Sequence, residues 1–247
     1  MDFDRYLDEL GRHGALLHRS AGSAGLDAPV PSCAGWTVRR LLTHTTKVHH
    51  WATAILGGAE PAAVGFEAPD DGQLDAVYDD GLSALLRALR TAPDGRGAWT
   101  MYPAASGRMF WARRQAHETA IHRLDAELAA GYGVADFEPD FAADGIDELL
   151  VGMGPGRFTD LPVDSRRTIS LMPLDVNESW TVTVSPAGFR AESSLAGGSD
   201  SADLRVFGMA SDLYRWVWNR ADGSEVSLRG DLSLADLWRQ NLRVGAR

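Results

Sequence analysis

The spacing of apolar residues changes from a helical to a strand pattern near residue 160. Before that point apolar side chains recur every three to four residues, as at Leu74, Tyr78, Leu82 and Leu85, which is typical of amphipathic helices. Beyond it they alternate with polar residues, as over 180–184, which is typical of half-buried strands. We therefore predict an α+β fold, with a helical bundle over residues 1–155 and a smaller α+β domain over 160–247.

The predicted elements follow from caps and breakers in each part. In the first part we expect helices that begin near Phe3 and that cover 37–57, 71–92, 108–130 and 140–151, with mostly loop over 94–107. Thr37 is the expected cap of the second helix, and Gly131 the expected stop of the fourth. In the second part we expect strands near 168–171, 180–184, 189–192, 204–206 and 225–228, a helix over 213–218 capped by Ser211, and a closing helix around 234–238.

Charge and cysteine content exclude several classes of protein. The chain has 24 Lys and Arg against 34 Asp and Glu, and a net charge of −10 does not suit a protein that binds nucleic acid. No apolar run approaches the roughly 18 residues that a membrane-spanning helix needs. Cys33 is the single cysteine, so no intrachain disulfide can form, which is compatible with a reducing cytosol. We expect a cytoplasmic protein without nucleic-acid or membrane partners, and a monomer by default.

One segment, residues 117–125, has the spacing of a metal site. Glu118 and His122 are four residues apart in a predicted helix, so they share one face and can bind one ion. His44 lies on another predicted helix that could pack against the first. Two histidines and one carboxylate suit a catalytic zinc with an open position, although iron, nickel and cobalt accept similar donors. The alternative is that these histidines are ordinary core residues and that the Glu118/His122 spacing is chance.

Two further residues are candidate catalytic groups. Arg114, one turn before Glu118, could pair with that carboxylate or hold a carboxylate of the substrate. Asp125, one turn after His122, could orient the imidazole, or it could be a helix-surface carboxylate with no role in the site. His117 should point away from the Glu118 face, and we interpret Cys33 as a structural residue rather than a nucleophile.

Two blocks of the sequence resemble the mycothiol-dependent maleylpyruvate isomerase family. The first covers residues 30–38 and the Leu-x-x-His that ends at His44, and the second covers 117–127. The resemblance implies a DinB-like four-helix bundle and a small C-terminal domain similar to sterol-carrier-protein folds. It also implies that His44, Glu118 and His122 take the places of three zinc ligands. Ala34 stands where the family often has proline, which affects the turn and not the ligands.

The resemblance implies a small-molecule substrate and a thiol of low molecular weight, mycothiol or a similar one, in addition to a divalent metal. A thiol that coordinates a metal loses its proton, and the thiolate is a nucleophile for an electron-poor alkene. An isomerase or a thiol S-transferase would both use this chemistry. A metal-dependent hydrolase on the same scaffold, or a non-catalytic metal- or ligand-binding stress protein, remain alternatives because a fold does not determine its function.

Overall fold

The computed structural model describes residues 1–95, 97–159, 161–195, 197–199, 201–221 and 223–242. The chain divides into two compact units, Met1–Ala135 and Asp136–Arg247. The first unit is helical, and the second combines helices with a five-stranded sheet. The predicted α+β class is therefore confirmed.

Four long helices build the first unit. They are α1 (Phe3–Ala24), α2 (Val38–Leu56), α3 (Asp71–Thr91) and α4 (Gly107–Ala130), with a short 3₁₀ turn at Pro61–Ala63. Side-chain caps explain where three of them begin. Asp2 accepts a hydrogen bond from the backbone N–H of Arg5, Thr37 from that of Arg40, and Ser106 from that of Met109. Gly131 ends α4 in the left-handed conformation, with φ of 74°.

The central helix of this unit is α4. It packs along α1 and also contacts α2. From Phe110 to Glu127 most of its residues are buried, on every side of the helix. Its buried positions include charged and polar groups, among them Arg114, Gln115, Arg123 and Asp125. Buried polar groups are costly without partners, so a central helix that carries several of them is where function is expected.

The second unit is built on a sheet with strand order β3-β2-β1-β4-β5. Its strands are β1 (Arg167–Pro173), β2 (Ser179–Ser185), β3 (Gly188–Ser194), β4 (Leu204–Gly208) and β5 (Ser227–Gly230). Only β1 and β4 pair in parallel among the described ladders, and the others are antiparallel. The helices of this unit are α5 (Pro139–Asp147), a π-helical turn at Glu148–Met153, α6 (Gly154–Arg157), α7 (Ala210–Val217) and α8 (Ser233–Asn241).

Most predicted elements are confirmed within a few residues, but three details of the prediction are wrong. The fifth helix does not end at Val151, because the chain continues through the π-helical turn into α6. Ser211 does not cap α7. It lies inside the helix, and its Oγ accepts a hydrogen bond from the backbone N–H of Phe137 at 3.0 Å. The last strand is Ser227–Gly230 rather than 225–228, because its ladder to β4 begins at Ser227.

The compact units divide earlier than the change in periodicity does. Residues 136–157 belong to the second unit, since α5 packs against α7 and α6 packs against β3. A helix that packs on a sheet has the same apolar spacing as a helix in a bundle, so the pattern identifies the element and not its neighbour. The domain limits predicted from the sequence stay a prediction.

Among the described helices, none combines the length and the apolar character needed to cross a membrane.

Candidate metal centre

His44, Glu118 and His122 lie together between α2 and α4. The Oε1 atom of Glu118 is 3.3 Å from Nε2 of His44 and 3.2 Å from Nε2 of His122. The centroids of the two imidazole rings are 5.0 Å apart, and the rings meet edge to face. One donor atom from each residue lies within 4.8 Å of the other two. The structure thus brings together the three side chains that the sequence singled out as a metal-binding set.

The distances between donor atoms suit a tetrahedral ion. Zinc binds nitrogen and oxygen at about 2.0–2.1 Å, so two ligands at adjacent corners of a tetrahedron stand about 3.3 Å apart. The two distances from Glu118 Oε1 to the imidazole nitrogens are 3.3 and 3.2 Å. Direct hydrogen bonds between an ionised carboxylate and a protonated imidazole are usually shorter, about 2.7–2.9 Å. The donor types and the two distances from Glu118 to the histidines therefore fit a divalent cation.

One side of this cluster is open. The side chains of His44 and Glu118 are 22% and 20% exposed, whereas that of His122 is 9% exposed. Three protein ligands and an accessible side are the arrangement of a catalytic rather than a structural zinc site. A small ligand can therefore reach the cluster.

Asp125 holds the far side of the His122 ring. Its Oδ2 atom is 2.9 Å from Nδ1 of His122, which leaves Nε2 directed at Glu118. The carboxylate is fully buried, and it also accepts hydrogen bonds from Ser32 Oγ and, at 3.4 Å, from Cys33 Sγ. A carboxylate behind a ligating histidine fixes the orientation of the ring and makes it a better donor.

Arg114 pairs with the carboxylate of Glu118. Its Nη2 donates to Oε2 at 2.6 Å, while Oε1 faces the histidines. Burial alone would raise the pKa of Glu118, but the charge of Arg114 and the hydrogen bonds from His122 and His44 hold that pKa well below its usual range. Glu118 is thus ionised at neutral pH, as a metal ligand must be.

His122 is protonated at neutral pH when no cation is bound. Burial lowers its pKa, but the hydrogen bonds and charges of Asp125 and Glu118 outweigh that effect and raise the pKa to about 9. A metal ion that binds Nε2 must therefore displace a proton, so metal affinity at this cluster depends on pH.

Trp36 packs against both histidines, a contact that the sequence reasoning missed. Its ring centroid is 5.1 Å from that of His44, and it stacks at 6.2 Å on that of His122. The guanidinium of Arg40 lies over the Trp36 ring, 4.8 Å from its centroid. The signal available was the position of Trp36 inside the 30–38 block, although large aromatic residues are more often simple core residues.

Three other residues with polar or reactive side chains lie outside the cluster. His117 is fully buried and meets Tyr6 of α1 edge to face at 6.4 Å, so the expectation that it points away from Glu118 is confirmed. His49 is buried next to α4, with Nε2 2.9 Å from Thr119 Oγ1. Cys33 is half-buried and bonded to Asp125.

A cavity of about 610 Å³ lies at the start of α4, lined by residues 98–100, 103–105 and 107. Gly107 precedes Glu118 by eleven residues, which is about 16 Å along the helix axis. The cavity is therefore separate from the metal-binding cluster. As predicted, the described residues between 94 and 106 form no helix or strand.

Comparison with known proteins agrees with the family resemblance that the sequence indicates. Residues 7–127 match the family model described as the mycothiol maleylpyruvate isomerase N-terminal domain, and residues 140–237 match the model of the C-terminal domain of the same family. A search of curated proteins gave no match.

The solved structures include two that share the fold. The crystal structure of the mycothiol-dependent maleylpyruvate isomerase is 12% identical, covers 92% of this chain and 93% of its own, and superposes with a TM-score of 0.65. A form of that isomerase with one histidine replaced by alanine gives the same values of 12%, 92%, 93% and 0.65. At this identity the likeness shows the fold alone, and the two family models, which together cover most of the sequence, show the family. The chain belongs to the mycothiol maleylpyruvate isomerase family and is an enzyme.

Proposed function

We propose that this enzyme is metal-dependent and uses a thiol of low molecular weight, mycothiol, to isomerise a conjugated cis alkene such as maleylpyruvate. The observation that carries the proposal is the open cluster of His44, Glu118 and His122, with donor atoms spaced for one cation. Family membership supports the choice of thiol and of substrate class. Zinc is the metal that we propose for this donor set.

The bound groups would supply the reactivity. A divalent cation held by the three side chains would keep the thiol ionised at neutral pH, and the thiolate would add to the conjugated double bond and leave after rotation about the new single bond. Permanent attachment of the thiol would instead give S-transfer. The same three side chains serve both outcomes, so assays of product must distinguish them.

The residues of the chain prepare this site in three ways. Arg114 keeps Glu118 ionised, Asp125 orients His122, and Trp36 packs against the histidine rings. Arg114 is 3% exposed and already bonded to Glu118. We therefore assign Arg114 a positioning role and not the binding of a substrate carboxylate. Asp125 is fully buried behind His122, so we assign it a positioning role as well.

The test compares His44→Ala with His50→Ala. Both histidines lie on α2, but His50 is exposed and packs near Phe66, outside the cluster. Metal content, measured by elemental analysis, and isomerisation of maleylpyruvate with and without mycothiol are the two readouts. We expect about one metal ion per chain and thiol-dependent turnover in the parent and in His50→Ala, and loss of both in His44→Ala.

Other results would replace the proposal. Cleavage of the substrate that needs metal but no thiol would favour a hydrolase, in which a metal-bound water is the nucleophile. A thioether product would favour S-transfer. Full metal occupancy in His44→Ala would show that His44 is not a metal ligand.

A further inference from the structure

Two exposed cations of α2 lie beside the open side of the candidate metal centre. Counted at 100° per residue, Arg40 and Lys47 are turned about 40° and about 60° from His44, both in the same direction around the helix, and both are exposed. Leu41 and Thr45, which are turned the other way, are fully buried. The exposed edge of His44 therefore faces the side of α2 that carries these two cations.

Observed contacts connect Arg40 to the metal-binding cluster. Its guanidinium lies 4.8 Å from the centroid of the Trp36 ring, and that centroid lies 5.1 Å from the centroid of the His44 ring. The guanidinium is therefore within about 10 Å of the His44 ring, which is the sum of these two distances. Along the helix axis Arg40 lies about 6 Å before His44 and Lys47 about 4.5 Å after it, so the two cations flank this histidine.

Acidic neighbours do not neutralise these two charges. Residues 38–56 include no Asp or Glu, although the chain has 34 of them against 24 Lys and Arg. Arg39, the other Lys or Arg residue of α2, pairs with aspartates of the preceding loop and of α3. In the part of the chain that the structure describes, no ion pair includes Arg40 or Lys47. Unpaired cations beside an open site attract anions to it, even in a protein whose net charge is negative.

The chemistry of the two side chains selects the kind of ligand group. A guanidinium binds a carboxylate through two parallel N–H groups, and an ammonium attracts it as a point charge. A divalent cation at the cluster would add to this positive charge. Because both side chains are exposed, a ligand on the open side can meet them without displacing a buried group. A carboxylate a few bonds from the metal-bound atom of a ligand can therefore reach one of these cations.

We infer that Arg40 and Lys47 bind a carboxylate of the ligand at this site, and that they make the site prefer an anionic ligand to a neutral one of the same size. The inference rests on the proposed function for the metal ion and for a thiol as its ligand. Neither residue belongs to the metal-binding cluster, and neither is buried in the core. Their replacement should therefore leave the fold and the metal centre in place.

The experiment measures the binding of two matched thiols to the zinc-loaded protein by titration calorimetry. 4-Mercaptobutyrate carries a carboxylate where 4-mercaptobutanol carries an alcohol. At low ionic strength we expect the parent to bind the carboxylate about tenfold more tightly, with about threefold from each exposed cation. The double variant Arg40→Gln/Lys47→Gln should lose this preference and keep its zinc. Arg87→Gln/Arg90→Gln, at two exposed arginines of α3, removes the same charge and should keep the preference.

The outcomes separate this inference from the proposed function. A parent protein that binds zinc but neither thiol overturns the proposed function, and the inference with it. A parent that binds both thiols equally, or a double variant that keeps the tenfold preference, overturns only the role of Arg40 and Lys47. An equal loss of preference in the α3 variant also overturns it, because the charge of the whole chain would then explain the effect.

The single variant Lys47→Gln keeps the inference testable if the double variant loses zinc. Arg40→Gln removes the contact with Trp36, which packs against the histidines, whereas Lys47→Gln leaves that contact in place. Lys47→Gln must therefore reduce the preference by about threefold at full zinc content, or the inference is wrong. Because exposed charges are screened by salt, the preference of the parent should also fall sharply at about 1 M salt, and an unchanged preference there would contradict the inference.

Discussion

Replacement of Asp125 by asparagine tests how the protein holds His122. The variant keeps the size of the side chain but removes the negative charge that lies 2.9 Å from Nδ1 of His122. Loss of a hydrogen-bonded group behind a ligand typically reduces metal affinity by about 10–100-fold, or about 1.4–2.7 kcal/mol. Asp125 is fully buried, where charges are weakly screened, so we expect the upper part of that range.

The size of the effect depends on pH, because the substitution also makes His122 easier to deprotonate. In the metal-free protein the pKa of His122 is raised to about 9, partly by Asp125. Below that pH a cation must displace a proton, and each pH unit reduces its affinity by about tenfold. Asp125→Asn lowers this pKa and thus relieves the competition with protons. At neutral pH the relief offsets part of the loss, and above pH 9 the full loss is seen.

The assay is competition for zinc between the protein and a chromophoric chelator, at about pH 7 and about pH 9.5. Ser32→Ala removes one hydrogen bond to Asp125 and keeps its charge, so it should reduce zinc affinity by about threefold or less. Asp80→Asn, at an exposed position of α3, is the control for loss of one negative charge. Parental affinity in Asp125→Asn above pH 9, or a larger loss at pH 7 than at pH 9.5, would refute the reasoning.

Two further predictions concern stability. Burial lowers the pKa of His13 to about 4 and of His49 to about 3, below the unfolded value of 6.5, so the unfolded chain takes up these protons first as the pH falls. Each histidine should cost about 2 kcal/mol of stability at pH 5 relative to neutral pH, and the raised pKa of His122 offsets less than about 1 kcal/mol. Urea unfolding at the two pH values measures this loss, and equal stabilities would contradict it. Arg114→Met removes the cation beside the carboxylate of Glu118, and we expect a loss of about 2 kcal/mol in the metal-free protein, reduced from the value for fully buried pairs because Glu118 is one-fifth exposed. Zinc should restore part of that stability, and an equal deficit with and without zinc would argue against a metal at Glu118.

The helices and the site residues were predictable where local sequence determines them. Thr37 and Gly131 are capping residues whose roles follow from their types, and both bound the helices as expected. The i, i+4 spacing of Glu118 and His122 places them on one face of any helix. The approach of His44 required only that its helix pack against theirs, which the resemblance to the family implied.

Other features depend on contacts between distant residues and could not be predicted. Ser211 is a good capping residue by type, but α7 begins at Ala210. The serine hydroxyl instead accepts a hydrogen bond from the backbone N–H of Phe137. The hydrogen bonds from Ser32 and Cys33 to Asp125 join residues that are 93 and 92 positions apart. The spacing of apolar residues along the chain gives no indication of such a contact between distant residues.

The loop from Pro29 to Thr37 makes up most of the first sequence block on which the family resemblance rests, and it contacts Asp125 of the second block. Its ends pair as an isolated bridge, and the backbone N–H of Trp36 donates to the carbonyl of Cys33 at 2.9 Å. The loop presents Cys33 to Asp125 and Trp36 to His44. Gly35 permits this tight turn, because its φ of 75° lies in the left-handed region.

Gly35→Ala therefore tests whether the loop supports the metal centre. Alanine in the left-handed region costs about 1–2 kcal/mol. Gly131→Ala is the matched control, since Gly131 has a φ of 74° and both glycines have open space where a Cβ would lie. Both variants should lose similar stability in thermal unfolding. Only Gly35→Ala should also weaken zinc binding, because its loop holds Asp125, whereas Gly131 lies six residues beyond that carboxylate at the end of α4. Equal zinc affinities in the two variants would show that the centre is held by α2 and α4 alone.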